Sequence, residues 1–182
     1  SKFIQAKNNV YSPDEQMDTD FLFNLETGTT FKSLSEMADM AVTGGLAGIV
    51  FGRVDFVGSM NWGREAVNAP DMLECCQEAA RQCRDRGLDL VIGGGVSAEA
   101  LPFLSEVCQT HLTRFETRKV IFGASALNIS EMHVGLRMAV HFELLWLQNK
   151  RDYHGFIHRE DNARIRMLEE RWKVLSERIP NQ

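Results

Sequence analysis

The sequence lacks a long hydrophobic run. None of its apolar stretches approaches the ~20 residues that a transmembrane helix requires, which excludes a helical membrane span among its 182 residues. It also lacks an excess of positive charge: the formal net charge is −5 and the isoelectric point about 5.6. That balance provides no broad basic footprint, so neither nucleic acid nor an anionic membrane is an expected partner, although local arginine clusters remain open as anion sites. Cysteine is sparse. The four present, Cys75, Cys76, Cys83 and Cys108, include no CxxC spacing, so neither a thiolate metal site nor a disulfide framework is indicated and reduced thiols are expected. The opening SKFIQAKNNV is too polar for a secretory signal. Together these absences predict a cytoplasmic protein. What is present is a hydrophobic fraction of 44%, enough for one domain with a buried core.

Short runs of β-forming residues alternate with helical patterns. Strands are expected at residues 21–26 (FLFNLE), 48–51 (GIVF) and 88–92 (LDLVI), and a fourth within 111–122 (HLTRFETRKVIF). The opening residues 1–10 resemble the end of a helix. A helix over 30–42 would place Phe31, Leu34, Met37, Ala38 and Ala41 on one face and stop at Gly44-Gly45. The next would start at Pro70, bury Leu73, Cys76, Ala80 and Cys83, and close at Gly87, and a third over 98–108 would take Ser97 as its cap. Four β/α repeats at this spacing are those of right-handed parallel crossovers, which makes the fold class α/β.

Beyond residue 127 the pattern is helical. Asn128-Ile129-Ser130-Glu131 has capping-box spacing and opens an apolar helix ending near Tyr153. A second helix from about Glu160 aligns Ile165, Leu168, Trp172, Leu175 and Ile179 on a heptad seam. So short a seam must dock on the body or on another subunit. The chain is therefore divided into an α/β part, 1–127, and a helical extension, 128–182, as a candidate for homo-oligomer contacts.

The chemistry is expected where predicted strands run out, because parallel α/β folds keep their sites at carboxyl ends of strands. Glu26 ends the first strand, and Asp55 follows the second after Gly52-Arg53-Val54. Two hard oxygen donors could share one divalent metal; alternatively, Glu26 caps the following helix and Asp55 a turn. Gly93-Gly94-Gly95 before a helix would suit a phosphate or serve as an ordinary turn. Arg114, Glu116 and Arg118 alternate along the fourth strand and share one face. They form either a buried ion-pair network on the interior of the fold or a solvated strand face, and the interior is favoured because apolar helices must cover the outer face. The five histidines show no ligand spacing apart from His154 and His158, which flank Gly155 and are assigned to a loop.

Two of these motifs carry a resemblance. Leu25-Glu26-Thr27 ending a strand, a helix soon after, then Gly52-Arg53-Val54-Asp55-Phe56 ending the next strand with Ser59 in a small-residue loop, resemble the pattern of the HpcH/HpaI aldolase and citrate lyase β-subunit family. The resemblance runs from about residue 21 to 122. It implies a (β/α)8 barrel of the phosphoenolpyruvate/pyruvate-binding type, of which this chain supplies about four β/α units, the C-terminal half, plus C-terminal helices. It implies a metal-dependent aldolase or lyase acting next to a 2-oxo acid such as pyruvate or oxaloacetate. Glu26 and Asp55 would bind Mg²⁺ or Mn²⁺, and Gly52, Arg53, Val54, Asp55 and Ser59 would line the substrate. The family's catalytic arginine and histidine come from earlier strands, so the catalytic residues here are unknown. A barrel of this type needs about 250 residues, so an N-terminal half is expected from the same polypeptide or from a separate subunit. Two alternatives stay open: a citrate-lyase-like enzyme acting on acyl-CoA thioesters, and a non-catalytic half-barrel assembly subunit.

Overall fold

A computed structural model describes residues 2–177, with side chains to residue 173. The chain divides into two compact units, Ser1–Val140 and His141–Gln182. The first opens with α1 (Lys2–Val10) and α2 (Pro13–Met17), then β1 (Leu22–Leu25), α3 (Gly28–Lys32) and α4 (Leu34–Thr43). It continues through β2 (Gly48–Gly52), α5 (Arg53–Ser59), α6 (Pro70–Arg84), β3 (Asp89–Gly93) and α7 (Leu101–Thr110). A hairpin of β4 (Arg114–Glu116) and β5 (Ile121–Gly123) follows, and α8 (Met132–Glu177) begins in this unit and extends into the second.

The sheet follows the chain, in the order β1-β2-β3-β4-β5. Its first three pairings are parallel and the last is antiparallel. Period-two alternation separates its faces. Leu25, Ile49, Phe51, Leu90, Ile92 and Phe115 are all fully buried on one face. Helix α6 packs against β2 and β3 and between α4 and α7, burying Met72, Cys76, Ala79, Ala80 and Cys83. Each large aliphatic side chain removed from water here contributes about 1.5–3 kcal/mol. The other face carries Asn24, Val50, Arg114 and Glu116, none of which is buried, and Val91, which is buried between Val50 and Arg114. The result is an α/β fold with flanking helices and a sequentially wound sheet, as in part of a barrel.

Local chemistry explains the element ends. Ser12 and Glu15 form a reciprocal capping box on α2, and the Thr27 hydroxyl accepts the Thr30 N–H to cap α3. Pro70 takes the first turn of α6, where its missing N–H costs nothing.

The structure corrects several expectations. The helix expected over 30–42 is two helices, because Ser33 leaves helical geometry and its N–H bonds back to Thr30 O. The fourth strand is a hairpin: the Thr117 side chain and backbone bond Val120 across a turn, which also holds Arg118 away from the face shared by Arg114 and Glu116. Ser59 ends a helix instead of lying in a loop. Ser97 sits at the start of a short 3-10 turn, Ala98–Ala100, and its hydroxyl donates to Glu99 instead of capping it. Asn128 ends another 3-10 turn, and the long helix starts at Met132. The two C-terminal helices are one. Gly155 costs about 1 kcal/mol in a helix but does not break α8, so His154 and His158 are helical, with His158 Nε2 3.0 Å from Asn162 Nδ2. On the predicted seam, Ile165, Leu168 and Trp172 lie in α8, while Ile179 and the side chain of Leu175 lie outside the described residues.

Candidate functional site

Strand register aligns four residues at the carboxyl end of the sheet. Leu25 pairs with Phe51, Gly52 with Gly93, and Ile92 with Phe115. Glu26, Gly52, Gly93 and Glu116 therefore form one row, on the face opposite Leu25, Phe51, Ile92 and Phe115. The two glycines form a floor. A Cβ added to Gly52 would sit 2.8 Å from Glu26 Cγ and 3.1 Å from its Oε1, and one on Gly93 would sit 3.0 Å from Glu116 Oε1. Glu26 thus leans from β1 over β2, and Glu116 leans from β4 over β3. Neighbouring strands are about 4.8 Å apart, and the two side chains reach over adjacent strands from opposite directions.

Their surroundings differ. Glu26 Oε1 accepts a hydrogen bond from Asn24 Nδ2 at 2.9 Å. The Glu116 carboxylate makes no hydrogen bond among the described residues, and its pKa is raised by burial, an effect that the Arg114 charge only partly opposes. Arg114 is itself committed to Asp89, donating to Oδ2 at 2.5 Å. The sequence pattern marks Glu116 only as a member of an alternating strand face, because the glycine beneath it comes from a different strand.

Asp55 is exposed at the third position of α5, the helix that Gly52 opens. A carboxylate there interacts favourably with the N–H groups of the first turn. The glycine loop after β3 packs on that same turn: a Cβ on Gly94 would meet Val54 N at 2.7 Å and Arg53 N at 2.9 Å, and φ there is +78°. Only glycine meets both demands. Val54 Cγ2 lies against Gly94 and Gly95, so the three-glycine run is packed on α5.

Arg53 and Ser59 are engaged elsewhere. The Arg53 side chain is fully buried; its Nε donates to Gly93 O at 3.3 Å, and its Nη1 to Val67 O at 3.3 Å and Asn68 Oδ1 at 2.7 Å. Its guanidinium lies 4.8 Å from the Phe103 ring centroid, and Nη2 is buried without a partner among the described residues. Burial pushes its pKa down to about 10. It acts as a strut joining α5 to the end of β3 and to α7. The Ser59 hydroxyl accepts the Gly28 N–H at 2.9 Å and donates to Phe56 O at 2.8 Å, tying the end of α5 to the start of α3.

All four cysteines are free thiols, and burial pushes Cys83 up to about 12 and Cys76 higher still, so neither is a ready nucleophile. Among the described residues no group of three or more histidine, cysteine or acidic side chains is placed to hold a metal, and no helix is long and apolar enough to cross a membrane.

No protein-family profile matches the sequence, and no curated protein is significantly similar to it. Among solved structures the chain is similar to an HpcH/HpaI aldolase from Desulfitobacterium hafniense DCB-2, with 14% identity and a TM-score of 0.44. The match covers 69% of this chain and 44% of that one, so the chain spans less than half the length of that protein.

Proposed function

We propose that the chain forms part of a divalent-metal-dependent carbon–carbon lyase acting on a 2-oxo acid, with Glu26 and Asp55 as the metal ligands. The observation that carries this reading is the placement of Glu26 over the Cβ-free Gly52, the residue that opens the helix bearing Asp55. The order of the two motifs, Leu25-Glu26-Thr27 and Gly52-Arg53-Val54-Asp55-Phe56, supports it independently. The donor set suits Mg²⁺ or Mn²⁺, which take one or two carboxylates and leave positions for water and substrate. The bare Cα of Gly52 leaves the space into which the Glu26 side chain leans. A dication held there supplies positive charge that stabilises an enolate.

The chain's own residues set the geometry. Asn24 orients Glu26, and Ser59 fixes α5 against α3 so that Asp55 stays on a braced element. Gly52 joins the strand beside Glu26 to the helix that bears Asp55. The sheet face that carries Glu26 and Glu116 is where further strands, from the same polypeptide or from a half-barrel partner, would enclose the substrate.

The test is thermal. Mg²⁺ or Mn²⁺ at 100 times its Kd should stabilise the protein by about 2.7 kcal/mol, since it binds only the folded state. Glu26→Gln and Asp55→Asn should each abolish that shift. If both variants respond like the parent, the metal assignment fails.

A further inference from the structure

We propose that Glu116 is a catalytic proton carrier of this site, exchanging a proton with the carbon of the 2-oxo acid that becomes nucleophilic. The inference rests on the 2-oxo acid reading above and adds a residue that neither the sequence motifs nor the structural likeness points to.

Position comes first. Glu116 lies in the same register row as Glu26, on the same sheet face and at the same carboxyl end of the strands. It reaches inward over Gly93, whose missing side chain leaves the space its carboxyl occupies. A molecule held at the carboxyl end of the strands beside Glu26 would meet Glu116 from the opposite side of the row.

Availability comes second. Among the described residues no hydrogen bond engages the Glu116 carboxyl, and the nearby cation, Arg114, is bonded to Asp89. A carboxyl placed on an exposed strand face for stability alone would gain by pairing with that arginine. Partial burial instead favours its neutral form, and an acid shifted toward neutral pH is suited to proton transfer in both directions. Glu26 differs in having Asn24 as a fixed donor, consistent with separate roles for the two carboxyls.

The step balances without any further reactant. Protonating a pyruvate enolate breaks the O–H bond of the neutral Glu116 carboxyl. The C2=C3 π pair forms the new C3–H bond, a lone pair of the enolate oxygen re-forms the C2=O double bond, and the O–H pair stays on Glu116 as carboxylate. In reverse, the Glu116 carboxylate takes a proton from the pyruvate methyl group, the C–H pair becomes the C2=C3 bond, and the C2=O π pair moves onto the oxygen of the enolate. Solvent exchanges the proton on Glu116 between turnovers, so the methyl protons of pyruvate should wash out in D₂O.

That exchange is the test, followed by proton NMR on the native protein with Mg²⁺ and pyruvate. Glu116→Gln should slow exchange at least about 100-fold while keeping the Mg²⁺-induced thermal shift. Glu116→Asp, which withdraws the carboxyl by one methylene, should slow it by an intermediate factor, and it decides the matter if the glutamine variant does not fold. A readout independent of turnover is the carbon-13 shift of the Glu116 carboxyl, which should titrate above ordinary glutamates and move when pyruvate is added with Mg²⁺. Undiminished exchange in these variants overturns the proposal, as does an absence of exchange in a parent protein whose metal response is intact. A parent with no metal response would instead remove the metal reading, and this inference with it.

Discussion

Glu116 and Arg53 both sit in less water than their charges favour, and for Glu116 this has a measurable consequence apart from catalysis. Its folded-state pKa is raised by burial, so above the ordinary carboxylate range the folded chain binds more protons than the unfolded chain. Stability from this group is fully present below the unfolded pKa and is lost as pH rises through the folded one. Glu116→Gln, neutral throughout, should therefore gain thermal stability relative to the parent between about pH 4 and pH 7. Equal differences in midpoint at the two pH values would show that burial does not act on this carboxyl. Arg53 shows why side chains were harder to read than strands. Beside Asp55 in sequence it looks like a substrate contact, yet its partners are Gly93, Val67, Asn68 and Phe103. Nothing local to residues 52–56 announces them.

At the level of elements, the glycines of the site divide into two kinds. Gly52→Ala would push its Cβ against Glu26 Cγ, the flexible part of a side chain that can move aside. The fold should survive with a small change in midpoint, while the Mg²⁺ response disappears. Gly94→Ala combines a positive φ with a backbone nitrogen at 2.7 Å, which cannot move aside. It should destabilise the protein by about 1–3 kcal/mol from the backbone strain alone, with more from the clash, in urea or thermal melts. Comparable melts for the two variants would mean that the loop after β3 is not packed as described. Strands β1, β2 and β3 were legible because each is an apolar run ended by a carboxylate or glycine, and α6 because Pro70 and Gly87 bound a clean apolar stripe. The β4–β5 hairpin was not. Thr117 to Val120 contain no glycine or proline to mark the turn, which is held by the Thr117 hydroxyl and backbone instead. The Ser33 break was hidden too, because Leu34, Ala38 and Ala41 keep the helical period beyond it.

At the scale of the whole molecule, the first unit holds the sheet, and the second consists of α8 beyond Val140 together with the residues that follow. Here Phe142, Leu144, Leu145 and Leu147 are each about half exposed, as are Ile165 and Leu168 farther along. A helix apolar on several sides is built to be covered, and a single helix gains most of its stability from packing. We expect this covering to come from another copy of the chain. The double variant Ile165→Asp/Leu168→Asp should then sediment as a smaller species than the parent, with its Mg²⁺ response unchanged. An unchanged sedimentation coefficient would rule out this part of α8 as a subunit contact. The heptad period at Ile165, Leu168 and Trp172 was visible in the sequence, but the continuity of the helix through Gly155 was not, since local propensity there argues for a break.

The order of the sheet also bears on how the chain is made. Each strand pairs with the next in sequence, so every pairing needed by the nascent chain is available as soon as one more strand has left the ribosome. Among the described strands none waits for a distant partner, so the entropy of loop closure stays modest across these five. Assembly can proceed as a zipper from β1, with each crossover helix folding onto the face that the newest pair creates. The last tooth is the short antiparallel β5. Until it folds back, the outer edge of β4 is exposed to any other unfinished chain nearby, and the hairpin closes that interval within a few residues of β4 itself.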